Sequence, residues 1–131
     1  MNSLSTIEND DRPAKPPVIL ALEGSADLLA VAVWADGIVK CHQTHAARYG
    51  HASRIALLVK QVMECAELNF TDVTHIAAGR GPGSFTGIRV ALAAAKGFCL
   101  ATGAVGMGIN SLAALAANYE GDTPVLVSAE T

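Results

Sequence analysis

The sequence predicts an α/β domain on a mixed sheet, with three antiparallel strands, then parallel strands with helices on both faces. Three observations carry that class. Residues 18–44 hold three short apolar runs separated by turn residues. After them the hydrophobic period changes from that of a strand to that of a helix. From there to residue 128 helix-like and strand-like segments alternate, and strands joined through helices in one sheet run parallel.

Val18 to Leu22 is a continuous apolar run between Pro16-Pro17 and Glu23-Gly24, the pattern of a strand buried on both faces. Leu28 to Trp34 forms the second strand, and Asp36-Gly37 is a strong hairpin turn leading into a third over Ile38 to Thr44. Ile55, Leu58, Val59, Val62 and Ala66 then repeat at helical spacing. Arg54, Lys60, Gln61, Glu64 and Glu67 lie mostly off that stripe, which predicts an amphipathic helix over 51–67. Asn69 and Thr71-Asp72 break it, and Val73 to Ala78 reads as a buried strand. A glycine-rich stretch follows, then a second helix from Ser84 to Ala101 and a strand from Ala104 to Ile109. Asn110-Ser111 caps a short alanine-rich helix ending near Asn118, and Pro124 to Ser128 reads as a last strand. A meander followed by such alternation is the ribonuclease H-like layout. Val127 to Thr131 stand directly at the end of an apolar strand, so the domain reads as half of something larger.

At 131 residues and 51% hydrophobic content, the chain suits one domain with one core. Twelve acidic residues against nine basic give a formal charge of −3, which offers no basic field to attract nucleic acid and disfavours stand-alone RNA or DNA binding. The three cysteines, Cys41, Cys65 and Cys99, are odd in number, far apart and free of any C-x-x-C pattern, so they read as reduced, buried thiols in a cytoplasmic protein. Residues 1–16 are polar, carry prolines and lack the apolar core of a secretory signal; they read as a disordered tail ahead of a domain over 17–131. The apolar stretches are interrupted by Gly, Lys or Asp short of the ~18 consecutive apolar residues a membrane span needs, so no membrane partner is expected.

The stretch "GRGPGSFTGIR", residues 79–89, has two readings. No G-x-x-x-x-G-K-[ST] register fits it, and Gly87 misses G-x-G-x-x-G by one position. A strand end, glycine-freed N–H groups at Gly81 and Gly83, Ser84 at a helix N-terminus and the flanking Arg80 and Arg89 nevertheless suit an anion such as phosphate. On the other reading Gly81-Pro82-Gly83 makes the turn and Ser84 or Thr86 caps the helix. The helix that follows is rich in very small residues: Gly87, Ala91, Ala94, Ala95, Gly97 and Ala101 let another element approach closely, either the domain's own sheet or a partner rimmed by Arg89 and Lys96.

Other chemistry-bearing residues are scattered. His42 and His45, three apart on a strand, face opposite ways and do not share a metal. His75 reads as a structural histidine. His51 opens the first helix, where the partner position for a metal pair is Ile55. Glu23 ends a strand without a second carboxylate for acid–base work. No catalytic set and no metal site emerge.

The segments "ILALEGSADLLAVAVWADG", "GHASRIALLVKQVMECAELNFTDVTHIAAGRGPGSFTGIRVALAAAKGFCLATG" and "GINSLAALA" closely resemble the N-terminal half of the TsaB/YeaZ family, from about Val18 to Thr131. The resemblance implies a fold of the actin-like ATPase superfamily, made of two ribonuclease H-like halves of which this chain supplies the first. It implies a non-catalytic scaffold in the complex that installs threonylcarbamoyl on adenosine of tRNA next to the anticodon. The partners implied are the paralogous transferase TsaD and the ATPase TsaE, a homodimer when TsaD is absent, and tRNA only indirectly; no cofactor is implied. The family's contact surface lies on the first two helices, here His51 to Ala66 and Ser84 to Ala101. That puts His51, Arg54, Ile55, Leu58, Gly87, Val90, Ala91, Ala94, Ala95 and Phe98 at the expected interface. The paralogue's first helix carries a metal-binding histidine pair four apart; here His51 is followed by Ile55. The chain departs from the family at Glu23-Gly24, where an aspartate and a threonine are usual, which bears on any nucleotide or Mg²⁺ at that corner. It departs again at "VLVSAET", where relatives have an acid-lined strand. The alternative expectation is a nucleotide-binding ATPase or carbamoyltransferase acting in its own right through Arg80, Arg89 and the helix N-terminus.

Overall fold

The computed structural model describes residues 15–26, 28–46 and 52–117. His51, most of the expected tail and the expected strand over Pro124 to Ser128 lie outside them. Strands β1 (Val18–Glu23), β2 (Leu28–Ala35) and β3 (Ile38–Ala46) form the meander, and Asp36 and Gly37 take φ of 55° and 80° at its hairpin turn. Helix α1 (Ala52–Cys65) leads through a 3₁₀ turn at Phe70–Asp72 to β4 (His75–Gly79). Helix α2 (Phe85–Thr102), β5 (Val105–Ile109) and α3 (Ser111–Ala116) complete the order. The sheet runs β3-β2-β1-β4-β5, with β1 antiparallel to β2 and parallel to β4, and β4 parallel to β5.

Register explains the core. Leu20 stands opposite Val33 and Ile76, and Leu22 opposite Val31 and Ala78, so these side chains share one face. Helix α1 lays Ile55, Leu58, Val59, Val62 and Met63 on that face, and α2 adds Ala91 and Ala95. The stripe read from the sequence is therefore the buried one, and each large aliphatic contributes about 1.5–3 kcal/mol on burial. Alanines on α2 let it sit close over β4. The helix ends at Gly103, in the left-handed region at φ 76°, whose N–H donates to Cys99 O at 2.8 Å.

Two expectations are corrected. Strands β1 and β4 are not buried on both faces among the described residues: β1 alternates, with Ile19, Ala21 and Glu23 half-buried on the side away from α1 and α2. That side is bordered at one end by α3, whose Ser111 and Ala114 line a 270 Å³ hollow with Ala21, Ala30 and Ala77. The cysteines are not all reduced, buried thiols either. Cys41 and Cys65 form a disulfide with Cα atoms 6.2 Å apart, Cys65 is exposed, and Cys99 is free and half-buried. A β-bulge is the physical reason. Val33 pairs with Cys41 but Trp34 with Val39, so Lys40 is the extra residue, and the alternation reverses to turn Cys41 toward α1.

Candidate functional site

Strands β1, β4 and β5 end together, Leu22 opposite Ala78 and Gly79 opposite Ile109. In open α/β sheets ligands gather beyond such carboxyl ends, and here the glycine loop occupies that place. Gly81 and Gly83 have φ of 92° and 154°, conformations that favour glycine. Several of the loop's donors are engaged inside the domain. Ser84 N–H donates to Ser25 O at 2.7 Å, Gly81 N–H to Ser111 Oγ at 3.1 Å, and Gly87 N–H to Ser84 Oγ at 3.2 Å. Ser84 is thus the helix cap of the turn reading.

The same corner explains its glycines by close approach. A methyl group on Gly87 would overlap the carbonyl of Gly24, and one on Gly83 would overlap that of Ser25. Glu23 lies against Gly79, where a Cβ would overlap its carboxylate. Ser25 Oγ donates to Glu23 Oε1 at 2.7 Å, while Oε2 is buried without a partner among the described residues. A carboxylate at this corner opposes a bound anion. Arg80 is exposed with its aliphatic stem over Gly108, and the Arg89 guanidinium stands 5.2 Å from the centre of the Phe85 ring. The four residues of the anion reading are brought together, but the N–H groups of Gly81 and Ser84 are already taken by protein oxygens.

The expected partner residues divide. Ile55, Leu58, Gly87, Ala91 and Ala95 are buried in the domain's own core, Ile55 at 1% exposure and Ala91 at 0%, so they are removed from any partner surface. The physical reason is helical period: each occupies the sheet-facing stripe of α1 or α2. Arg54 is exposed, and Val90, Ala94 and Phe98 are half-buried, Phe98 packing on Phe70 with ring centres 5.5 Å apart. Between the two helices runs an open groove of about 710 Å³ lined by Val90, Ala94 and Phe98 together with Ala56, Ala93 and Gly97. Ala56 and Ala93 were not among the expected residues, whereas Gly97 belongs to the small-residue surface read on α2. Among the described residues nothing lies within 4 Å of a methyl group placed on Gly97. On its other flank α2 leaves a hollow of about 840 Å³ over β5, where Gly106 and Gly108 give no side chains.

Helix α2 is unusually apolar for its exposure. It is an 18-residue helix of mean hydropathy 1.3 with 17% of its residues buried. By length and composition alone it could cross a membrane, yet it carries Arg89 and Lys96 and packs on β4 and α1. Phe85 is 73% exposed and Leu100 89%. Among the described residues no group of three or more His, Cys, Asp or Glu side chains stands close enough to hold a metal. His75 Nδ1 sits 2.8 Å from Thr74 Oγ1, in keeping with a structural role.

Residues 40–130 match the model of the family "TsaD: tRNA N6-adenosine threonylcarbamoyltransferase". The tRNA threonylcarbamoyladenosine biosynthesis protein TsaB of Escherichia coli (strain K12) is 35% identical over 98 residues, which is 75% of this chain and 42% of that protein. The tRNA N6-adenosine threonylcarbamoyltransferase of Erythrobacter litoralis is 32% identical over 111 residues, covering 72% of this chain and 32% of the relative. The solved structure of YeaZ from Pseudomonas aeruginosa superposes with a TM-score of 0.71 at 30% identity, over 78% of this chain and 47% of that one. The chain thus spans under half the length of these relatives. Its five-stranded mixed sheet is the ribonuclease H-like fold of the actin-like superfamily. The glycine loop, the sheet order and these matches together show that the chain belongs to the TsaB/YeaZ family, within the group that the TsaD model describes.

Proposed function

We propose that this chain is the N-terminal half of a non-catalytic, cytoplasmic partner subunit in the biosynthesis of threonylcarbamoyladenosine in tRNA. It binds a TsaD-like transferase through the groove between α1 and α2, pairs with itself there when alone, and works with a TsaE-like ATPase without a cofactor and without direct tRNA contact. The observation that carries this reading is the surface of α2, apolar along its length yet little buried, with an open groove on one flank. Contiguous apolar surface of that kind marks an interaction site. The names of the TsaB relatives supply the pathway.

Binding of the intact chain to the TsaD-like paralogue of its own organism tests the reading. Ala94→Arg, whose longer side chain enters the groove, is expected to abolish capture while leaving the circular dichroism spectrum unchanged. Unaltered capture by a folded Ala94→Arg variant would remove the groove from the interface.

The second reading, an enzyme acting alone, is favoured by the match to a transferase family. Against it stand the occupied donors at Gly81 and Ser84 and the Glu23 carboxylate beside them. Nucleotide with Mg²⁺ at ~100 times a real dissociation constant would add about 2.7 kcal/mol of stability. The non-catalytic reading expects no such gain in a thermal melt with millimolar ATP.

A further inference from the structure

We propose that Cys41 and Cys65 are a reversible redox site, in which a small disulfide such as oxidised glutathione reacts first at Cys65 and Cys41 then closes a clasp between β3 and α1. The proposal stands on geometry and does not depend on the partner reading. The bulge at Lys40 turns Cys41 to the helix-covered face opposite Val33, and Lys40 itself is held to the hairpin turn by Asp36 at 3.2 Å. Cys65 is the last residue of α1, and the 6.2 Å between the two Cα atoms lies inside the range a disulfide spans. Strand β3 is an edge strand exposed along most of its length, so few apolar contacts hold it and a covalent tie to α1 changes its fastening most. Where thiols are kept reduced, such a bond is transient and reports redox state.

Exposure sets the order of reaction. Cys65 is exposed and Cys41 half-buried. The Cys65 thiolate attacks one sulfur of oxidised glutathione, forming a Cys65–glutathione disulfide and releasing one glutathione thiolate. The Cys41 thiolate then attacks the Cys65 sulfur, forming the Cys41–Cys65 bond and releasing the second glutathione. Two protein thiols are oxidised and one glutathione disulfide is reduced to two thiols; excess reduced glutathione runs both steps backwards. Cys99, on α2, has no cysteine partner and sets its sulfur against Gly106 of β5, which makes it an internal control.

The intact chain is equilibrated in mixtures of oxidised and reduced glutathione, quenched with N-ethylmaleimide and weighed by mass spectrometry. Cys41 and Cys65 are expected to lose alkylation together while Cys99 keeps it. Cys41→Ser is expected to trap one glutathione at Cys65, and Cys65→Ser to react at Cys41 at least about tenfold more slowly. Reduction is expected to lower the melting midpoint of the unaltered chain by roughly 10 °C, and to leave a Cys41→Ser/Cys65→Ser double variant unmoved. Full alkylation of both cysteines in oxidised glutathione, or a melting midpoint indifferent to reductant, would overturn the site. Faster reaction at Cys41 would overturn the order. The measurements on the unaltered chain decide the first question even where a serine variant fails to fold.

Discussion

Gly87 and Gly97 lie on the same helix under different constraints. At Gly87 a methyl group would overlap the Gly24 carbonyl, backbone against backbone, with no flexible side chain to yield. Gly87→Ala is therefore expected to cost roughly 2–4 kcal/mol, read from urea unfolding midpoints, or to prevent folding. At Gly97 the space is open. Gly97→Ala is expected to stabilise by about 0.5–1 kcal/mol, since alanine loses less backbone entropy in a helix. Ser84→Ala leaves the Gly87 N–H without its cap and is expected to cost about 1 kcal/mol in the same assay. The sequence shows seven glycines and alanines on α2 without distinguishing them, because composition carries no information about which neighbour approaches. Glu23 was visible as a strand-end acid; that one of its oxygens would be buried without a partner among the described residues was not, because Gly79 reaches it only through the pairing of β4 with β1.

Helices and strands were legible wherever hydrophobic period was strong. The stripe of Ile55, Leu58, Val59 and Val62 marks both the helix and its buried face, and Val62, at 0% exposure, is the sharpest test of it. Val62→Ala is expected to cost about 2–3 kcal/mol by removing two methyl groups from a packed site, measured by thermal or urea unfolding. The 3₁₀ turn at Phe70–Asp72 was read only as a break, since three residues offer no periodicity. Strand β3 shows the limit of alternation. Counting from Ile38 places Cys41 on the face away from α1, and the bulge at Lys40 reverses it. No residue pattern in "IVKCHQTHA" announces the bulge, so the pairing of Cys41 with Cys65 became visible only in the fold. On α2 the small residues were legible, but not that Gly87, Ala91 and Ala95 make its buried stripe while Val90, Ala94 and Phe98 stay half-buried.

The molecule as a whole is a sheet with α1 and α2 packed on one face, and the apolar surface left open on α2 is what sets its expected behaviour. A formal charge of −3 supplies no field for tRNA, so on the proposed reading any association with the modification machinery comes from protein contacts. Those contacts require a surface that is apolar, accessible and backed by a rigid element, and the groove beside Ala93, Ala94 and Gly97 meets all three conditions. Gly97→Arg fills it without touching the core, and is expected to weaken binding of a TsaD-like paralogue roughly 100-fold by titration calorimetry with no loss of stability. The central claim is that α2 is where the partner sits, and amide hydrogen exchange of the intact chain with and without that paralogue reads it most directly. Slowed exchange confined to α2 and the facing turns of α1, with β3 unchanged, is the result expected; protection that leaves α2 untouched while the complex forms would contradict it.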